Sequence, residues 1–555
     1  MIRFFNLAFL ALTLLIPAAA SAKPLNTDAV DALVRAYGAP DQPGISVAIA
    51  HDEEVIYEGW TGLADLERSV AINRDTRFHI ASISKQFTAF AILKLAEEGK
   101  LRVNQPISDF FPEVAAGRGA VTIQHLLDHT GGLREINTLT QMLGLSESSS
   151  LTGDQLLAII LRQKGINFEA GSDEEYSNTG YQLLAHIVAQ VSDQSFADYM
   201  QTEIFSPLGM RQSVVRTDPM GLIENVAVSY EMNGQSFIHA PIFATAFGST
   251  GIVSNPRNLL RWGQSLNAAE LAGEPIVTAL AKRSRLPDGR KVVAGNGQEF
   301  RNFRGLKTWS HGGSTGGFRS FLLRIPDQKL TIAVMGNRAD FLKATFAFDV
   351  AEALLKDTLD AAPEPDLTPE TAEELDSYAG DYRLFPGTVF SLRRDGDALN
   401  FAGYGESPGF ALSRLSKGVF LLNPVRDIRL EFHDFADGKA TQMRWQVSED
   451  GYLIAPRVML DPVPQGAVNL SAHTGTFYSD ELQIGVTISE KEDTLWLASN
   501  IQAPVPLVQY AGGVFRPDGP APFPRIEFVM NKEGRAQKLL MGAPLAQNLE
   551  FNRRD

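Results

Sequence analysis

The chain has 555 residues, 44% of them apolar and 21% charged, a net charge of -15 at pH 7 and no cysteine. That length exceeds one ordinary core, and domains of about 100 to 200 residues divide it into two to four units. The acidic balance argues against a nucleic-acid backbone as partner, and the missing thiols exclude disulfides, thiolate metal sites, a cysteine nucleophile and a lipoprotein anchor.

The first residues, MIRFFNLAFLALTLLIPAAASAK, combine a basic start at Arg3, an apolar run from Phe4 to Ile16 and small residues from Ala20 to Ala22. This is the pattern of a secretory signal peptide over residues 1–22, cleaved after Ala22, and it predicts a periplasmic or secreted protein. No later segment holds the uncharged run that a membrane-spanning helix needs. Next, GISVAIAHDEEVIYEGWTGLAD, from Gly44 to Asp65, alternates apolar residues such as Val47, Ile49, Val55 and Tyr57 around a polar turn, which predicts a hairpin. Ile83, Phe87, Phe90, Ala91 and Leu95 then set a largely buried helix over 81–95, with Ser82 and Lys85 near its start. From Thr122 to Gln201 the period is mostly helical, broken at HTGGL and YSNTGY. Strands return in GFRSFLLRIPDQKLTIAVMGN, joined at the Pro326-Asp327 turn, and a helix runs on to Leu355. Strands at both ends with helices between predict an α+β domain over residues 23–359, in which one antiparallel sheet is assembled from distant segments and carries a helical insert.

Residues 360–374, DAAPEPDLTPETAEE, are rich in proline and acid and read as a linker. Beyond it the texture changes to short alternating strands that repeat. YAGDY at Tyr378 recurs as HTGTFY at His473, GVF at Gly418 recurs at Gly513, LEF at Leu430 is echoed by IEF at Ile526, and DGK at Asp437 by EGR at Glu533. An offset held near 95 residues predicts two copies of one all-β module, small barrels over 375–460 and 468–555.

Serine is a poor nucleophile at neutral pH and needs a neighbouring base. Residues three apart on a helix share a face, so Lys85 reaches the Ser82 hydroxyl, and burial beside a helix N-terminus favours the neutral amine that could serve as that base. Two further stretches support the pair: Tyr176-Ser177-Asn178 in a turn leading into an apolar helix, and His311-Gly312-Gly313 before a strand.

In order, spacing and flanks these three motifs resemble those of the serine β-lactamase and penicillin-binding protein superfamily. The blocks FHIASISKQFTAFAILKLAEEGKL, VTIQHLLDHTGGL, YSNTGYQLLAHIVAQVSDQSFADYM, GSTGIVSNPRNLLRW and HGGSTGGFRSFLLRIPDQKLTIAVMGN are similar to class C β-lactamase-like serine hydrolases over about residues 30 to 350. The resemblance implies Ser82 as acylated nucleophile, Lys85 as its base and Tyr176 as proton shuttle. It implies Asn178, His311, Gly313, Ser314 and Arg319 on the substrate side, with backbone N–H groups of Ser82 and Ser314 as oxyanion hole. No cofactor and no metal is implied. The implied activity is hydrolysis of amide or ester bonds in small peptide-like substrates.

The chain departs from β-lactamases and D,D-carboxypeptidases at the third motif, where their lysine is replaced by His311, so efficient β-lactamase activity is not expected. A catalytic domain followed by two barrels, the SKQFT block, Arg319 and SDEL at Ser479 to Leu482 all resemble D-aminopeptidases. In that family a loop of the last barrel supplies an acid for the substrate amine, and the corresponding LASNIQAPVPLVQYAGG has no Asp or Glu. An esterase or D,D-peptidase of the same superfamily and a non-catalytic cell-wall peptide-binding protein are the alternatives.

Two rival motifs are set aside. Gly312 to Gly316 fits the G-x-S-x-G elbow with Ser314 as nucleophile, but an elbow leads into a helix and FRSFLLRIP reads as a strand. His125 and His129 lie four apart on an expected helix, as in zinc sites, with no Glu between them in the H-E-x-x-H pattern and no third ligand.

Overall fold

The computed structural model describes residues 25–554 except 115–120, 272, 362–367, 386–387, 404–408, 423–427, 447–450, 460–468, 510–513 and 520. The expected signal peptide lies outside the described residues. The catalytic region is built on a seven-stranded antiparallel sheet. Its strands are β1 (Ile45–His51), β2 (Glu54–Thr61), β3 (Ala294–Gly295), β4 (Gln298–Phe303), β5 (Leu306–Thr315), β6 (Phe318–Ile325) and β7 (Leu330–Gly336), in spatial order β3-β4-β5-β6-β7-β1-β2. The hairpin expected over 44–65 is β1–β2, and β1 pairs on its other side with β7, nearly 300 residues later.

Period-two alternation splits β1 between two cores. Ile45, Val47 and Ile49 pack with Val30 and Val34 of α1 (Asp28–Ala36) and with Phe346 and Val350 of a helix over Lys343–Leu355. Ala48 and Ala50 join the opposite core, which holds α2 (Ser84–Glu97). Helix α2 is apolar nearly all round, as a helix buried on every side must be. Its Phe87 ring stacks on Trp262 at 4.3 Å between centroids. The sequence places the helix start at residue 81, whereas Ala81–Ile83 form a 3-10 turn and α2 proper begins at Ser84.

The β tail follows the repeat. Eight strands from Gly475 to Arg553 close into a barrel, Gly475–Ser479 pairing with Ala546–Arg553. In the first copy Gly380–Phe385 pairs with Tyr452–Val458 in the same way. Its fourth strand is interrupted at Leu412: Phe410–Ala411 pairs with Ala398–Gly403, while Ser413–Ser416 pairs with Val419–Leu421. The first copy is therefore a nine-stranded sheet rather than a continuous eight-stranded ring. DGK and EGR occupy equivalent turns, after Arg429–Ala436 and after Arg525–Met530. Of the expected linker, 362–367 lies outside the described residues, and its end forms a helix over Ala372–Tyr378 because Thr371 and Glu374 make a capping box. Among the described residues no helix is long and apolar enough to cross a membrane.

Candidate active site

Ser82 sits on a pinned turn. Phe78–His79 pairs with Ile252–Ser254, which anchors the chain entering the turn. His79 Nδ1 accepts the Ala81 N–H at 3.0 Å, and the Ser320 hydroxyl donates to the Ile80 carbonyl at 2.8 Å. Ala81 has φ +48, left-handed backbone that costs a residue with a Cβ about 1 kcal/mol or more. Because Nδ1 is an acceptor and burial pushes the His79 ring down to about 3, the ring is neutral and serves as a clamp.

Lys85, in the first turn of α2, is wholly buried. Its Nζ lies 2.7 Å from Asn178 Oδ1, 2.8 Å from the Ser249 carbonyl and 3.3 Å from Ser82 Oγ. The first two partners only accept. A neutral amine has two N–H donors and one lone pair, so the lone pair is left for the Ser82 hydroxyl. Burial lowers Lys85 to about 7, against a smaller opposing pull from Glu135. The Tyr176 phenol interacts with Ser82, and burial raises it far above the ordinary tyrosine value. Lys85 Nζ stands 4.8 Å from the centre of the Tyr176 ring, which also stacks on His129 at 4.5 Å between centroids.

Asn178 opens a helix over Asn178–Ser192, with Ser177 as its N-cap. Its orientation is set by Glu135, a residue the sequence reading did not single out. The Glu135 carboxylate accepts the Asn178 N–H and the Asn178 Nδ2–H, both at 2.7 Å. Which amide atom faces Lys85 is fixed by that second bond, since the carboxylate takes the NH2 group.

The third motif lies on β5, which runs past the end of β4. His311 Nδ1 is 2.7 Å from the Gly312 carbonyl and must donate to it, so Nε2 carries the free lone pair and has no protein partner. Burial drives His311 down to about 4, so the ring is neutral at pH 7 and supplies no cation in place of the family's lysine. Gly313 permits the close approach of β5 to the nucleophile turn: a Cβ there would stand 2.2 Å from the Ile80 carbonyl oxygen. Ser314 Oγ accepts from Lys343, the first residue of its helix. Arg319 Nη1 donates to the carbonyls of Gly316 and Phe318, both at 2.8 Å, so it holds its own turn and does not line the cleft.

The cleft has a volume of about 470 Å³ and is lined by Ser82, Asn178, Ser249 and Ser314 together with Glu147 and Glu231. Glu147 is fixed by the Thr315 hydroxyl at 2.8 Å and the Gly316 N–H at 2.7 Å. A larger hollow of about 700 Å³, around Asn267, Trp309 and Arg324, contains none of the motif residues. The expected single helix through His125 and His129 is corrected: it spans Ile123–Leu127, and His129 lies beyond it at φ +59 with Nδ1 accepting the Ser177 N–H. Ser314 leads through a turn into strand β6, so it forms no nucleophile elbow.

A β-lactamase family model matches residues 30–354, more than half of the chain. The chain belongs to the β-lactamase family. It is a serine hydrolase of the superfamily that β-lactamases share with penicillin-binding proteins. A D-aminopeptidase of Brucella ovis is 26% identical over 369 residues, 66% of this chain and 68% of that one. A D-aminopeptidase of Gluconobacter oxydans is 24% identical over 313 residues, 56% of this chain and 59% of the relative. An octameric penicillin-binding protein homologue from Pyrococcus abyssi is similar in structure with a TM-score of 0.53 at 21% identity, over 87% of this chain and 97% of that one. The D-amino acid amidase of Ochrobactrum anthropi SV3, solved with L-phenylalanine amide, gives a TM-score of 0.51 at 23% identity over 59% and 95%. These two structural likenesses establish the fold.

Proposed function

We propose that this member of the β-lactamase family hydrolyses the amide bond after a free amino-terminal residue, as a D-aminopeptidase does, through an acyl-enzyme on Ser82. The observation that carries the nucleophile is the arrangement of Lys85, whose lone pair has one proton to take, that of Ser82. In acylation Ser82 Oγ forms a bond to the substrate carbonyl carbon while its proton passes to Lys85. The oxyanion is held by the N–H groups of Ser82 and Ser314. Tyr176, kept in its protonated form, gives its proton to the departing amine as the C–N bond breaks and regains one from the Lys85 ammonium. Water then attacks the ester carbonyl, its proton taken by the same base and passed to Ser82 Oγ as the acyl C–O bond breaks, which releases the acid and restores Ser82.

The amine preference rests on the charge of the cleft. Among the described residues its lining holds two carboxylates, Glu147 and Glu231, and no Lys or Arg. The neighbouring cations Arg319, which interacts with both carboxylates, and Lys343 stand outside the lining, engaged by the Gly316 and Phe318 carbonyls and by Ser314. A substrate ammonium is attracted there and a substrate carboxylate is repelled. These acids come from the catalytic region, not from the barrel loop that lacks them. The D preference follows the relatives named D-aminopeptidase.

Release of p-nitroaniline from D-alanine p-nitroanilide and from its N-acetyl form, with Ser82→Ala as control, tests the reading. Cleavage of the free amine alone, lost in Ser82→Ala, is expected. Equal cleavage of the blocked form would transfer the assignment to an esterase or D,D-peptidase. We further propose export to the periplasm or beyond by the signal peptide of residues 1–22. Cell fractionation with N-terminal sequencing checks it, an N-terminus at Lys23 being the expected result.

A further inference from the structure

The second barrel touches the catalytic region at the segments that carry the active-site residues. Arg134 is buried there, and each nitrogen of its guanidinium donates across the boundary. Nε donates to the Gln547 carbonyl at 2.8 Å, Nη2 to the Asn548 carbonyl at 2.9 Å and Nη1 to Glu481 at 2.6 Å. Glu481 is also buried, and it accepts the Lys164 N–H at 2.6 Å as well. Such a pair is retained at a desolvation cost that two apolar side chains would not incur. The next residue, Glu135, donates its backbone N–H to the Leu545 carbonyl at 2.9 Å.

The same barrel turn reaches the Tyr176 side of the site. Asn167 Nδ2 donates to the Leu545 carbonyl at 3.0 Å and to Glu175 at 2.6 Å, while its Oδ1 accepts the Gln547 N–H at 3.1 Å. Glu175 immediately precedes Tyr176, and its backbone N–H is held by the His129 carbonyl at 2.9 Å. Gln547 closes the turn from within by donating to the Pro544 carbonyl at 2.8 Å.

We propose that the second barrel is an integral part of the active site: Glu481 and the 543–547 turn fix Arg134 and Glu135, and Glu135 is the positioning residue that aims Asn178, and through it Lys85, at Ser82. This rests on Ser82 as nucleophile and Lys85 as its base. The barrel thus acts from beneath the site, through buried contacts, and not by a loop entering the cleft. The alternative role for Glu135, capping the short helix over Ile136–Met142, uses one bond of 3.5 Å, whereas its two bonds to Asn178 are 2.7 Å each.

The test is the rate at which a fluorophosphonate probe acylates the full-length protein, with the adduct mapped to Ser82, for the parent, Glu135→Gln, Glu481→Gln and the double variant. Both single variants should slow labelling about tenfold or more. The double variant should be no slower than Glu135→Gln within about twofold, because the two residues act in series. Glu135→Gln should also move the midpoint of the labelling pH profile downward, since its carboxylate favours the Lys85 ammonium. The other groups facing that ammonium are Ser82, Asn178, the Ser249 carbonyl and the rings of Tyr176 and Tyr181, with neutral His129 and His311 beyond. Should Glu481→Gln not fold, Gln547→Ala loosens the turn while keeping the ion pair, and the same slowing is expected. Unchanged labelling in the folded barrel variants, or losses that multiply in the double variant, would overturn the barrel's role alone. Absence of any Ser82 adduct in the parent would overturn it together with the proposed function.

Discussion

The amine of Lys85 lies 3.3 Å from the hydroxyl of Ser82, and of the three hydrogen-bond neighbours of that amine Ser82 is the one with a proton to give. The other two, a carboxamide oxygen and a backbone carbonyl, can only accept. A lysine so placed is a base when neutral and inert when charged.

The pH profile follows from that. Lys85 titrates near 7 because burial disfavours its ammonium. Activity should rise with pH through about 7 and be lost below it as the base is protonated. His311, neutral above about 4, should add no limb in this range. The profile of kcat/KM between pH 5 and 9 checks this, and activity still climbing at pH 9 would mean that Lys85 is charged at neutral pH.

Stability should rise with pH as well. Between about pH 7 and the ordinary lysine value the unfolded chain holds a proton that the folded one has released, so the stability contributed by Lys85 increases as pH rises through that window. Lys85→Met should remove this dependence, unfold at a higher temperature than the parent at pH 6, and be inactive. Paired melting curves at pH 6 and pH 9 measure it.

Gly313→Ala should abolish activity with modest change in fold. Its added methyl meets the Ile80 carbonyl at 2.2 Å, so either β5 or the turn bearing Ser82 must move. A displacement of about 1 Å at a reacting atom costs on the order of 100-fold. Circular dichroism beside the p-nitroanilide assay separates this outcome from unfolding.

Phe87→Ala should destabilise by about 3–5 kcal/mol, because the ring is fully buried against Trp262 in the core beneath the site. Chemical denaturation reads the loss, and a change below about 1 kcal/mol would contradict the packing described.

Much of the site was legible because it is local. Ser82 and Lys85 are one helical turn apart, Tyr176 and Asn178 share one turn, and His311 to Ser314 form one strand end, so each motif appears as a short string. The repeat in the β tail is legible for the same reason, as turn and strand signals at a fixed offset, but the break at Leu412 that makes the first copy a nine-stranded sheet is not. Glu135 and the Ser249 carbonyl were not, because each meets its partner only after distant segments pack, and Ser249 acts through a backbone atom that any residue has. The 3-10 turn at Ala81–Ile83 escaped helical periodicity because it continues the same apolar face into α2. Resemblance places Arg319 with the substrate, but in the structure its Nη1 is engaged by carbonyls of its own turn. The resemblance points to an acid from the last barrel, whereas Glu147, in a turn, and Glu231, on a short strand over Tyr230–Asn233, line the cleft from the catalytic region, where sequence spacing carries no sign of a common site.

The central claim is that Ser82 becomes acylated during turnover. Rapid acid quenching of the protein with D-alanine p-nitroanilide, followed by intact-mass measurement and peptide mapping, tests it directly. The account predicts a D-alanyl adduct on the peptide containing Ser82, absent from Ser82→Ala and accumulating in parallel with p-nitroaniline release. Turnover with no adduct on Ser82, or an adduct on Ser314 instead, would contradict it.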